Sequence, residues 1–174
     1  LYPKKGVFMK TAPIFRNNMV LQREKPLRIF GVCEKKHQHS ITAKIPELGV
    51  SAEAIISGEK WMTVLPPLKA CKSCTVEISS GEEKIIYSNV AVGEVWLAGG
   101  QSNMAWALKQ VKSVDTGKID LPLIRFFAVP LTTQPGTLTE AQGEWKLARK
   151  LFRNAKRKTF GFMRFHAAKW LTKT

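Results

Sequence analysis

Acidic residues are scarce in this chain, and the scarcity is local. Of 174 residues, 28 are Lys or Arg and 13 are Asp or Glu, a formal net charge of +15. Residues 1 to 145 hold 18 basic and 13 acidic side chains, whereas residues 146 to 174 hold ten basic and no acidic ones. An evenly spread excess would suggest nucleic acid or anionic surfaces. A surplus confined to one segment marks that segment as unusual instead. No basic motif interleaved with aromatics accompanies it, so no nucleic-acid partner is expected. Long apolar runs are missing too. None reaches the ~18 residues a membrane-spanning helix needs, so no membrane partner is expected. No signal peptide is visible. The first residue is Leu1, not Met, which fits a removed leader or a fragment.

Cysteine is sparse and odd in number: Cys33, Cys71 and Cys74. Three thiols cannot make a fully paired disulfide framework within one chain. Cys71-Lys72-Ser73-Cys74 has the spacing of redox and zinc sites. No second pair and no His pair stands near it, and structural zinc needs four ligands, so no metal is expected. Histidine is equally scarce: His37, His39 and His166. The first two lie in Lys35-Lys36-His37-Gln38-His39, which reads as a solvated polar turn.

What remains is apolar enough, at 44%, for a real core. Residues 7 to 90 show short strand-like segments at 19–23, 27–33, 41–46, 52–57, 61–65, 74–80 and 84–90. Turn signals separate them, such as Glu47-Leu48-Gly49, Pro66-Pro67 and Ser80-Gly81-Glu82. Strands at this spacing predict a sandwich or jelly roll, with Trp61, Val64, Ile29, Ile55 and Ile78 in its core. Near Val92 the pattern changes. A buried strand leads to a helix at about 103–110, a polar loop, and a second strand at 124–129. That order predicts two parallel neighbouring strands joined by a crossover helix. An amphipathic helix is expected at 160–171.

The junction itself is the most informative stretch. Val92 to Ala98 is a short apolar run interrupted by Glu94. Gly99 and Gly100 follow, then Gln101, Ser102 and Asn103. A strand that turns through two glycines into a Ser at a helix start is a nucleophile architecture. The Ser would sit beyond a strand's carboxyl end, and the helix N-terminus would offer unpaired N–H groups to an oxyanion. The same pattern also describes a plain turn with an N-capping Ser.

Gly93-Glu94-Val95-Trp96-Leu97-Ala98-Gly99-Gly100-Gln101-Ser102-Asn103-Met104 closely resembles the nucleophile block of the sialate O-acetylesterase family, a branch of the SGNH (GDSL-like) carbohydrate esterases. Three more blocks agree in order. Ala12-Pro13-Ile14-Phe15-Arg16-Asn17-Asn18-Met19-Val20-Leu21-Gln22-Arg23-Glu24-Lys25-Pro26 resembles the start of that family's N-terminal β domain. Trp61-Met62-Thr63-Val64-Leu65-Pro66-Pro67-Leu68-Lys69-Ala70 is similar to a third block, and Leu123-Ile124-Arg125-Phe126-Phe127-Ala128-Val129-Pro130 to a fourth. In that family the stretch around Cys71 is a turn entering a strand, so Cys71 reads as a turn residue and Cys74 as a strand residue.

The resemblance implies an α+β chain in two parts. Residues 1–92 would form an N-terminal β-sandwich, jelly-roll-like, and residues 93–174 the opening of an SGNH-type α/β/α domain. It implies removal of O-acetyl groups from sialic acids or related acetylated glycans, without a cofactor, in the periplasm or outside the cell. Ser102 would be the nucleophile and its own N–H an oxyanion donor. Gln101 and Asn103 would either touch substrate or fix the turn by backbone hydrogen bonds. Trp96 is expected in the core, and Trp106 in the core or at a sugar site.

Two departures matter. The family's base lies in an Asp-x-x-His or similar pair near the end of a much longer chain. No Asp precedes any of the three His here by three residues; before His166 that position is Met163. This chain is therefore expected to be an incomplete esterase with little or no activity, the alternative being a non-enzymatic carbohydrate-binding module. The second departure is Ala148-Arg149-Lys150-Leu151-Phe152, which replaces a motif that in the family looks like Ser-Pro-Glu-Thr-Val. A reading frame set one base earlier can yield Pro-Glu-Thr-Val, so residues 149 to 164 are expected to be frame-shifted. A gene sequence with no such reading would exclude this.

Overall fold

The computed structural model of the protein describes residues 9–34, 39–97, 121, 123–129, 143–148 and 165–169; for Ala128 and residues 165–169 only the backbone is described. Alternation of apolar and polar side chains sets the strands of the first part. β3 (Leu27–Cys33) and β7 (Lys60–Leu65) bury every second residue over most of their length, the period of a sheet with one face on a core. β1 (Met9–Thr11) pairs with β3, β3 with β7, and β7 with β6 (Ile55–Ser57), all antiparallel.

The larger sheet runs β11-β10-β12-β9-β8-β4-β5. Its strands are β4 (Thr42–Ile45), β5 (Val50–Glu53), β8 (Cys71–Ser80), β9 (Glu83–Leu97), β10 (Arg125–Ala128), β11 (Glu144–Leu147) and β12 (Phe165–Lys169). The short β2 (Val20–Gln22) pairs parallel with β9 through Val20↔Ala91, Leu21↔Val92 and Gln22↔Gly93. The two sheets share one buried cluster. Ile29, Trp61 and Leu65 of the smaller sheet join Ala43, Ile45, Val76, Ile78 and Val90 of the larger. Phe127 and Trp145 extend that cluster, with ring centroids 5.3 Å apart. Helix is almost absent among the described residues: a 3-10 turn at Pro46–Leu48 and the single residue Ala148.

Two glycines are dictated by geometry. A Cβ on Gly31 would lie 1.9 Å from the carbonyl oxygen of Lys10, so only glycine lets β1 close on β3. Gly81 has φ +54 and makes the tight β8–β9 turn, a conformation costly for other residues. Trp61, 1% exposed, donates its indole N–H to the carbonyls of Lys10 and Val32, both at 3.2 Å. A buried indole thus keeps a hydrogen bond, as burial of a polar group requires.

All seven strand segments expected between residues 19 and 90 coincide with strands, the one at 52–57 dividing into β5 and β6. Ile29, Trp61 and Ile78 are core residues, but Val64 and Ile55 are 44% and 75% exposed. Trp61, Thr63 and Leu65 point inward from β7, so Val64 must point out. Ile55 points outward on the edge strand β6. Trp96 is likewise exposed and not in the core. Cys71 is the first residue of β8, paired with Val92, and not a turn residue.

The second part departs further from expectation. β9 and β10 run in the same sense, but β12 lies between them and is antiparallel to both. The expected direct parallel pair is absent. β9 also stays in one sheet with β8 and β4 and does not open a separate one. The helix expected at 160–171 is replaced, over Phe165–Lys169, by a strand. A short isolated helix is marginal in water, while β9 and β10 each offer backbone groups that need partners. The helix expected at 103–110 and the segment 149–164 lie outside the described residues, as does His37.

Candidate functional site

β9 is the strand that leads toward Gly99-Gly100-Gln101-Ser102, and two polar clusters grip it. The first forms at the end of β2, where the parallel ladder stops at Gln22↔Gly93. A Gln side chain carries the same donor and acceptor as a peptide unit, and Gln22 uses its acceptor to continue the ladder and its donor to hold Glu94. Its Oε1 accepts from the Val95 N–H at 2.9 Å, and its Nε2 donates to Glu94 Oε2 at 3.1 Å and to the Arg23 carbonyl at 3.2 Å. Arg23 takes the other oxygen, Nε to Glu94 Oε1 at 3.0 Å, and its backbone N–H donates to the Gly93 carbonyl at 3.0 Å. Three consecutive residues of β9, 93 to 95, are therefore held. The Glu94 that interrupted an apolar run in the sequence is the centre of this clamp.

Gln22→Ala leaves the Val95 N–H and one Glu94 oxygen without these partners. The expected cost is about 1–2 kcal/mol, read from the midpoint of a urea titration. An unchanged midpoint would show that the clamp carries no stability.

The second cluster surrounds Arg125 on β10, only 3% exposed. Its Nη1 donates to the carbonyls of Met19, at 3.2 Å, and of Asn89. Its Nη2 donates to the Lys72 carbonyl and to Asn89 Oδ1, both at 3.1 Å. Asn89 Nδ2 in turn donates to Asn18 Oδ1 at 2.7 Å. Both asparagines have positive φ, 53° and 66°, a conformation that Asn tolerates better than most residues. One guanidinium thus ties β10 to β8, to β9 and to the turn before β2. Burial draws the guanidinium below its ordinary value, partly offset by the nearby Cys74.

The Cys74 thiol is pushed up to about 12 from 9.0, chiefly by burial and then by Cys71 and Glu47. Between those values the folded chain keeps the thiol proton and the unfolded chain releases it. Stability must then fall as pH rises from 9 toward 12. Lys and Tyr titrate there too, so the measurement is the difference between wild type and Cys74→Val in chemical denaturation. The expected result is a flatter decline for Cys74→Val above pH 9; parallel curves would contradict it.

Ser102, Gln101 and Asn103 lie outside the described residues, as does Trp106. β9 ends at Leu97, five residues before Ser102. The backbone of His166 lies on β12, paired with Leu97 and Phe127. Among the described residues no group of three or more His, Cys, Asp or Glu could hold a metal ion. No helix among them is long and apolar enough to cross a membrane. Sequence reasoning missed the roles of Gln22, Glu94, Asn89 and Arg125. For Glu94 and Arg125 the available signal was a polar residue inside an otherwise apolar run.

No family model matches the chain. Two curated relatives do. The sialate O-acetylesterase of Homo sapiens is 29% identical over 120 residues, which is 61% of this chain and 22% of the relative. That of Pongo abelii is 28% identical over the same shares. Among solved structures, a carbohydrate acetylesterase from Xanthomonas citri matches with a TM-score of 0.70 and 25% identity, over 80% of this chain and 32% of its own. The chain thus spans about a fifth of the length of the curated relatives it matches, 22%.

Proposed function

We propose, from the chain's membership of the sialate O-acetylesterase family over the part it spans, that it is the N-terminal portion of a carbohydrate O-acetylesterase with Ser102 as nucleophile. The substrate class is an O-acetylated glycan, an acetylated sialic acid first among them. The observation that carries the reading is the clamp on Gly93, Glu94 and Val95. It fixes the strand that runs directly into Gly-Gly-Gln-Ser-Asn, and a nucleophile is useful only where its backbone is held in register.

The chemistry follows from the residue types. The Ser102 hydroxyl adds to the acetyl carbonyl while a base takes its proton. The resulting oxyanion is stabilised by backbone N–H groups, the Ser102 N–H among them. The sugar hydroxyl leaves, and water then releases acetate from the acyl-serine. Gln101 and Asn103 flank the nucleophile and are the residues proposed to contact the sugar. The base is a His oriented by a carboxylate. No Asp-x-x-His block is present in residues 1–174, so that pair is assigned to chain beyond Thr174.

The division at 92/93 belongs to this proposal as a functional boundary, since β9 runs through it unbroken. An SGNH-type α/β/α domain from residue 93 onward is its finest part. It rests on the block at 93–104, because β12 separates the two same-sense strands β9 and β10. The test begins with the gene beyond Thr174. An Asp-x-x-His block there, and acetate release from O-acetylated sialic acid by the protein that carries it, are the expected results. A continuous reading frame without such a pair, or no release, would count against the proposal.

A further inference from the structure

A cleft of about 480 Å³ lies far from β9's carboxyl end, between the open edges of the two sheets. One wall is β1 and the turn after it, Met9 to Pro13 with Phe15 and Arg16. The other is the start of β9, Glu83 to Ile85 with Tyr87. β1 is the edge of the smaller sheet, and residues 83–87 pair only with β8 among the described strands. The Tyr87 hydroxyl bonds Thr11 Oγ1 across the floor. Phe15, beside it, is locked by an edge-to-face contact with Phe30 at 5.2 Å.

The charges around this cleft are unevenly used. Lys84 is engaged by Glu77 at 2.9 Å. Glu83 also has an interaction of its own. Lys10 alternates with the inward Met9 and Thr11 and so lies on the other face of β1, whereas Arg16 is exposed and forms no ion pair among the described residues. Arg16 spends only Nε, which donates to the Pro13 carbonyl at 2.9 Å. That bond fixes the guanidinium plane and leaves both terminal nitrogens for a bidentate carboxylate. A held tyrosine ring provides an apolar face of the kind a pyranose can lie against.

We propose that this cleft is a second, non-catalytic binding subsite for a carboxylate-bearing sugar, with Arg16 on the carboxylate and Tyr87 under the ring. It goes beyond the esterase reading and does not depend on Ser102. Its effect would be to hold an acidic glycan on the N-terminal unit by a contact separate from the acetyl group being cleaved.

The test is a two-dimensional amide NMR titration of the 174-residue chain with N-acetylneuraminic acid and, separately, with its methyl ester. Saturable shifts confined to residues 9–16 and 83–87 are expected with the acid. The ester, and the Arg16→Ala variant with the acid, should each bind about tenfold more weakly, the loss of one charge-assisted bidentate pair. Because Arg16 is exposed, an unchanged urea midpoint will show that its variant is folded. Raising the salt concentration should weaken binding of the acid and not of the ester. Ser102→Ala should bind like wild type, which separates this subsite from the proposed active centre. Equal binding of acid and ester, shifts outside the two segments, loss of binding in Ser102→Ala, or no saturable shift would each overturn the proposal.

Discussion

Replacing Ser102 by Ala should remove ester hydrolysis almost completely in the protein that carries this chain together with a His and its carboxylate. Members of a nucleophilic triad act as a unit, and deleting the nucleophile costs on the order of 10⁴-fold or more in kcat. KM should change little, because the hydroxyl contributes chiefly to the transition state. The measurement is acetate release from O-acetylated sialic acid, with an aryl acetate as the less demanding substrate. In residues 1–174 alone the expected result differs. A serine hydroxyl without a base is a poor nucleophile at neutral pH, so wild type and Ser102→Ala should hydrolyse the aryl acetate equally, at background. Turnover by the short chain that vanishes in Ser102→Ala would show that a base exists within 174 residues or comes from a second copy. Full turnover by Ser102→Ala in the complete protein would end the nucleophile assignment.

The largest effect on stability should come from Arg125. Substituting Met keeps much of the side chain's length and apolar volume but removes every donor. The carbonyls of Met19, Asn89 and Lys72 and the Asn89 side-chain oxygen would then lose their shared cation. Loss of these charge-assisted hydrogen bonds, together with the broken link between β10, β8 and β9, should cost about 3–5 kcal/mol. Chemical denaturation followed by tryptophan fluorescence reads it, since Trp145 packs on Phe127 beside Arg125 in β10. A loss below about 1 kcal/mol would mean that ordered water replaces the guanidinium without penalty. Arg125→Lys should recover only part of the loss. A single ammonium cannot reach four acceptors in the fixed planar fan that a guanidinium spans.

Much of the first hundred residues was legible in the sequence because its signals are local. A period of two in burial needs only the chain's own alternation. Gly49 and Gly81 stand where a left-handed turn demands them. Trp61, Ile29 and Ile78 could be named as core for the same reason. The errors share a cause as well. Val64, Ile55 and Trp96 are as apolar as their buried neighbours, and which face of a strand meets the core depends on what lies across from it. The nucleophile block at 93–104 was legible as a motif and not as a geometry, since a strand–turn–Ser pattern is equally a capped turn.

Only the tertiary structure decided the relations between distant segments. Gln22 and Glu94 are 72 residues apart in sequence, and Arg125 reaches Lys72, Met19 and Asn89. No periodicity encodes such contacts, because each is set by the desolvation of a polar group that must find a partner once its neighbours are buried. The same holds for the strand at Phe165–Lys169. Its helical pattern is a local preference of modest size, and two unfilled sheet edges outweigh it. The sequence by itself determined where strands begin and turn and which family block precedes the serine. Packing determined which side chains face inward, which strand lies between β9 and β10, and how the strand leading to Ser102 is held.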